Sequence, residues 1–263
     1  MKNFTIIINL LLFIAMVTVN ALANALPING YNTGELSDMY PNLFVPAGVT
    51  FSIWGLIYLL LLVFIVTQTI AAYSKKASKY LLSPLASWAF ALTCIFNSLW
   101  ILTWHYQMVF ISVVIMLLLL VTLIYIVRRM EKENINDFWA RFSVKLPFSI
   151  YLGWISVATI ANITALLVHW SWSGLGLPEN VWTIIMLGIG TLLSASMMYK
   201  KSDIFYALVV IWAFYGIIIK REASEPLHPE IIATAWASIA IQAAYIIYIL
   251  VRRVPEKQKS VNS

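Results

Sequence analysis

The chain has 263 residues, 62% of them hydrophobic and only 11% charged, with a mean hydropathy of +0.86. A soluble domain carries about a quarter of its residues as charged side chains, so this composition excludes a water-soluble globular protein and points to one assembled in lipid. The net charge of +6 is not a nucleic-acid footprint, because the basic residues lie in short loops beside apolar spans, and a single cysteine, Cys94, excludes an intrachain disulfide or a Cys metal cluster.

A spanning helix needs about 20 apolar residues. The stretches that meet this are 4–22, 48–72, 83–104, 108–127, 146–169, 181–199, 204–219 and 231–251. They predict an all-α polytopic membrane bundle of eight helices. The seventh is short, about 24 Å at 1.5 Å per residue, and crosses if its interfacial ends or the bilayer adjust. With eight spans, 15 of the 17 Lys and Arg residues fall on one side and only Lys220 and Arg221 on the other. The positive-inside rule then puts both termini in the cytoplasm of a bacterial inner or plasma membrane.

The first span has two readings. Lys2, an apolar run and Ala23-Asn24-Ala25 resemble a signal peptide with its small-residue cleavage site. The length of the run from Phe4 to Leu22 suits a retained helix instead. The following outer loop, 26–47, has no Lys or Arg and carries Pro27, Pro41 and Pro46 with several Gly and Asn. It is either a lid over the bundle or an ordinary solvated connection.

The stretch Pro41 to Leu62 passes from this loop into the second span and sets Phe51, Trp54 and Tyr58 on one helical face. A lipid-facing surface needs only aliphatic bulk, so three aromatics in register mark a face turned to protein or to a ligand. Packing and pocket both fit that pattern. The third span carries Phe90, Thr93, Asn97, Trp100 and Trp104 on one stripe. Asn97 lies near mid-span, where an amide needs a partner and faces the interior, as interhelical glue or as a ligand contact. The fourth span is nearly all aliphatic and reads as lipid-facing, and Arg128–Lys145 reads as a solvated connection with an amphipathic turn.

In the fifth span Tyr151, Trp154, Ala158, Asn162 and Ala165 share a face, and its alanines allow close helix approach. Two buried amides on two aromatic faces strengthen each other. The last three spans carry a small-residue surface (Gly188, Gly190, Ser194, Ala195, Ser196), while Trp212, Tyr215, Gln242 and Tyr245 either pack inward or sit in an interfacial belt. The tail from Arg252 is basic and reads as disordered, touching anionic lipid weakly.

All eleven Asp and Glu fall in loops, and no Lys or Arg is mid-span, which disfavours ion-coupled transport and a retinal Schiff base. His105, His169 and His228 map to outer ends or loops, as scattered interfacial residues or as a gathering at one mouth. No HExxH, nucleophile elbow or phosphate loop occurs, so no catalytic or metal residue is assigned.

Three segments then resemble the TspO/MBR family, the tryptophan-rich sensory proteins related to the mitochondrial translocator protein. They are Pro41-x4-Pro46-x7-Trp54-x3-Tyr58, Asn97-x2-Trp100, and Pro147 and Tyr151 followed by Trp154-x3-Ala158-Thr159-x2-Asn162. They cover residues 4–170 in the family's order. Three departures stand out: three extra residues between Pro147 and Trp154, Pro46-Ala47 in place of paired prolines, and about three more helices than the family's five.

The spans and the resemblance together divide the chain into a first transmembrane helix or signal peptide at 1–25, a TspO/MBR-like helix bundle over 26–170, an extra three-helix region at 171–252 and a basic tail at 253–263. The resemblance also implies a pocket for porphyrins, isoquinoline-type drugs or sterols, no required cofactor, membrane lipid as surroundings, and a homodimer. A water-poor pocket of indoles and amides suits a flat apolar ligand such as a tetrapyrrole. Trp54, Trp100 and Trp154 are expected to stack, and Tyr58, Tyr151, Asn97 and Asn162 to orient, with Pro46 and Phe51 also among the ligand-binding residues. A transporter or channel for an uncharged or amphipathic solute is the alternative, followed by a tetrapyrrole-modifying enzyme.

Overall fold

The computed structural model of the chain describes residues 2–26, 28–132 and 137–261, with side chains from Phe4 to Arg252. Lipid offers no partner to backbone N–H and C=O groups, so an apolar chain satisfies them within helices. The long helices are α1 Lys2–Ala25, α2 Ile53–Tyr73, α3 Pro84–His105, α4 Val109–Lys132, α5 Leu146–His169, α6 Glu179–Lys201, α7 Ile204–Glu222 and α8 Pro229–Val261. Among the described residues, eight helices are long and apolar enough to cross a membrane.

Several boundaries differ from expectation. α7 runs on through Lys220 to Glu222 and has 19 residues, because basic residues suit the negative end of the helix dipole. The connection after α4 is shorter than the sequence suggested. α4 continues to Lys132, and Phe138–Ala140 followed by a π-helical turn, Arg141–Lys145, leads directly into α5. Asp137 caps that leader by accepting from Ala140 N at 2.8 Å. Residues 133–136, Pro27 and the last two residues lie outside the described ones. The tail read as disordered from Arg252 continues α8 to Val261, where Glu256, Lys257 and Gln258 are all good helix formers.

The chain forms two compact units. The first holds residues up to Asn42 together with Phe51–Trp172, and the second holds Leu43–Thr50 together with the chain from Ser173 on. In the first unit, α1 packs on α2 and α3, α3 on α4, α4 on α5, and α5 on α2, which closes a ring of five helices. α4 was expected to face lipid, yet it buries a stripe of Ser112, Met116, Leu119, Leu123 and Ile126 against its neighbours. Between α2, α3 and α5, Phe64, Phe90 and Phe148 are fully buried, with centroids 4.9, 5.0 and 6.0 Å apart.

In the second unit α6, α7 and α8 pack pairwise. Gly190 faces Phe214, where a Cβ would meet the ring at 2.8 Å. Gln242 turns out buried, whereas Tyr215 is exposed and packs edge-on with Trp236. The segment 43–50 is bound into this unit. Leu43 N donates to Glu179 Oε1 at 2.7 Å, Ala47 N donates to Gly216 O at 2.9 Å, and Trp212 Nε1 donates to Thr50 O at 3.0 Å.

Candidate ligand site in the first unit

α2, α3 and α5 each turn an aromatic face into the five-helix ring. Trp54 is the hub and is 9% exposed. Tyr58 stacks on it at 5.6 Å with planes 18° apart, and Trp100 lies at 5.8 Å. Tyr151 and Trp154 meet it edge-on at 6.0 and 6.2 Å, and Phe51 meets Trp154 edge-on at 6.0 Å. The rings continue outward through Trp104, stacked 6.4 Å from Trp100, to Tyr40 and then His169. Such edge-to-face and offset pairs are the favoured aromatic geometries, worth ~0.5–1.5 kcal/mol each beyond burial.

Amides and hydroxyls frame these rings. Asn97 Nδ2 donates to Tyr151 OH at 2.9 Å, and Asn97 Oδ1 accepts from Asn20 Nδ2 at 2.7 Å. Trp100 Nε1 donates to Asn162 Oδ1 at 3.3 Å, while Asn162 Nδ2 donates to Ser112 Oγ at 3.1 Å. Both amides therefore already hold neighbouring side chains in place. Two groups on the same cluster, Trp154 Nε1 and Tyr58 OH, are buried with no hydrogen-bond partner among the described residues, although Asn97 lies beside the Tyr58 hydroxyl.

The outer loop is tied to the end of α3. His105 is fully buried and sits between Ile28 O at 3.1 Å and Thr33 Oγ1 at 3.3 Å. Asn29 Nδ2 donates to His105 O at 3.0 Å, and Thr33 N to Asn24 Oδ1 at 3.3 Å. The short helix Thr33–Asp38 is closed by a capping box between Asn32 and Glu35. Tyr40 ends this loop as a buried ring against Trp104, and burial pushes its phenol above the ordinary value. His228 belongs to the second unit, where it faces Glu230 at 3.3 Å.

The family model described as TSPO-like protein matches residues 6–248. The chain belongs to the TSPO-like protein family. The match runs through α6 and α7 and into α8, so these two helices and the first part of α8 lie inside the span that the family model covers. No curated protein and no solved structure matches this TSPO-like chain.

Of the nine residues picked out from the sequence, Phe51, Trp54, Tyr58, Asn97, Trp100, Tyr151, Trp154 and Asn162 lie together in the first unit of this TSPO-like chain. Pro46 lies in the 43–50 segment of the second. Sequence reasoning missed Asn20 and Ser112, the partners of the two amides. Asn20 was visible as a polar residue in an apolar run, spaced three turns from Asn9, which itself donates to Ser87 Oγ at 2.9 Å.

Proposed function

We propose that this TSPO-like, multi-pass membrane protein binds a flat, largely apolar ligand such as a porphyrin or another tetrapyrrole among the rings of its first unit. The observation that carries the reading is the pair of unmet polar groups, Trp154 Nε1 and Tyr58 OH, on two rings that both touch Trp54. A buried donor without a partner costs ~1–3 kcal/mol, and a guest bearing a carbonyl or carboxylate acceptor there offsets that cost.

Trp54, Trp100 and Trp154 supply π faces, while Tyr151, Asn97 and Asn162 keep them in position. Tyr58 occupies the face of Trp54 that a planar guest would take, so binding swings Tyr58 aside. A sterol-like guest would fill the same apolar wall but present no π face to Trp54. The one-sided placement of Lys and Arg supports cytoplasmic termini. In that orientation the cluster lies in the half of the membrane away from the cytoplasm.

The test is quenching of tryptophan fluorescence by protoporphyrin in detergent-purified protein. Trp54→Phe and Trp154→Phe are each expected to weaken apparent affinity about tenfold, one buried stack or hydrogen bond's worth. Equal affinity in parent and both variants refutes the site.

A further inference from the structure

The segment 43–50 precedes Phe51 and Trp54 in the chain, yet it is bound within the second unit. Its attachment is specific. Phe44, Val45 and Thr50 are all at most 5% exposed. Both Ala47 N and Thr50 O are fixed by α7, through Gly216 O and Trp212 Nε1. Leu43 N is held by the Glu179 carboxylate at the start of α6.

The closest approach is at Gly216. A Cβ there would lie 2.8 Å from Thr50 Cγ2 and 2.9 Å from Thr50 Cβ, and would press on Thr50 Oγ1 as well. Real Cβ atoms do not come this close, so the strap seats on α7 only because position 216 is glycine. Thr50 is joined to Phe51 by a single peptide bond, and the 3₁₀ turn Gly48–Ser52 runs without a break into α2. Residues 47–50 are therefore the chain from which the first turn of the helix that carries Phe51, Trp54 and Tyr58 starts.

We propose that the C-terminal three-helix unit is a clamp on the strap that leads into α2, with Gly216 and Trp212 as positioning residues for the Trp54 ring cluster. This deepens the ligand reading above, and only its binding measurement rests on that reading. Such a clamp gives the three C-terminal helices a task that needs no ligand contact of their own. It also makes ligand affinity sensitive to residues that touch only the strap.

The experiment uses the full chain in detergent with three readouts. A Val45→Cys reporter, buried in the parent, measures release of the strap by maleimide labelling, with buried Cys94 as the blank. Fluorotryptophan NMR, assigned with Trp54→Phe, reports the Trp54 ring with no ligand present. Protoporphyrin quenching reports binding. Gly216→Ala is expected to speed Val45→Cys labelling about tenfold, move the Trp54 resonance and weaken protoporphyrin binding about tenfold, the factor for one buried hydrogen bond.

Thr50→Gly in the Gly216→Ala chain removes the three atoms nearest the new methyl and is expected to return all three readouts toward the parent. Trp212→Phe, which deletes the donor to Thr50 O and keeps an aromatic ring, is the second route should Gly216→Ala fail to fold. Faster labelling with an unmoved Trp54 resonance overturns the proposal, and so does unchanged labelling in both variants. If the parent shows no protoporphyrin quenching while the Trp54 resonance moves and is rescued by Thr50→Gly, the clamp stands and the tetrapyrrole reading falls.

Discussion

The Asn20–Asn97–Tyr151 chain allows a quantitative test of how the five-helix ring is held. Asn97 is fully buried and uses both ends of its amide, accepting from α1 and donating to α5. Asn97→Ala removes both bonds. Side-chain hydrogen bonds inside membrane bundles average ~0.6 kcal/mol and reach ~1.7, so this change should destabilise by about 1–3 kcal/mol. Asn20→Ala removes one of the two and keeps the other, so it should cost about half as much. The coupling energy from the double-mutant cycle isolates the single 2.7 Å bond and is expected near ~0.6 kcal/mol.

Unfolding in mixed micelles, titrated with a denaturing detergent, measures each arm. Asn9 provides the control. It bonds Ser87 on the same helix pair but lies eleven residues, about 16 Å along the helix, from Asn20. Asn9→Ala should therefore add to Asn97→Ala without coupling. A coupling of zero between Asn20 and Asn97, or one as large between Asn9 and Asn97, refutes the argument that the amides act as a local link.

Other expectations follow from individual contacts. Gly190→Leu drives a side chain into Phe214 and should cost ~1–3 kcal/mol as overpacking, with Phe214→Ala restoring part of the loss in thermal melts. Thr33→Val removes the hydroxyl that faces His105 Nε2 and should speed amide exchange across Thr33–Asp38 while leaving α3 protected. The Lys79 ammonium, 2.6 Å from Asp137 and helped by Ala140 N, holds that carboxyl down at about 2. Because its folded value is lowered, this group's contribution is complete above the ordinary carboxylate range and fades as pH falls toward 2. Lys79→Met should move the Asp137 titration midpoint upward, read by carbon NMR of the carboxyl. An unmoved midpoint would show that the exposed pair does not interact in solution.

The spans were legible because lipid imposes one demand, a long apolar run, that hydropathy measures directly. The faces of α2, α3 and α5 were legible because Trp54, Trp100, Asn97 and Asn162 are chemically unlike acyl chains. α4 was not, since Met116, Leu119 and Leu123 are as suited to lipid as to protein, and only Ser112 distinguished the buried stripe. Asn20 was overlooked in a run scanned for its length. The placement of Pro46 and its neighbours in the second unit had no local sign, because it depends on Gly216, some 170 residues further on. The helical leader Phe138–Lys145 was hidden by its charges, which read as a loop but cap and flank a helix end.

The phenyl rings of Phe64, Phe90 and Phe148, one each from α2, α3 and α5, interlock and leave no gap where these three helices meet. A continuous water path along the axis of the first unit would have to part those rings, so planar-bilayer recordings on the full chain are expected to show no steady current.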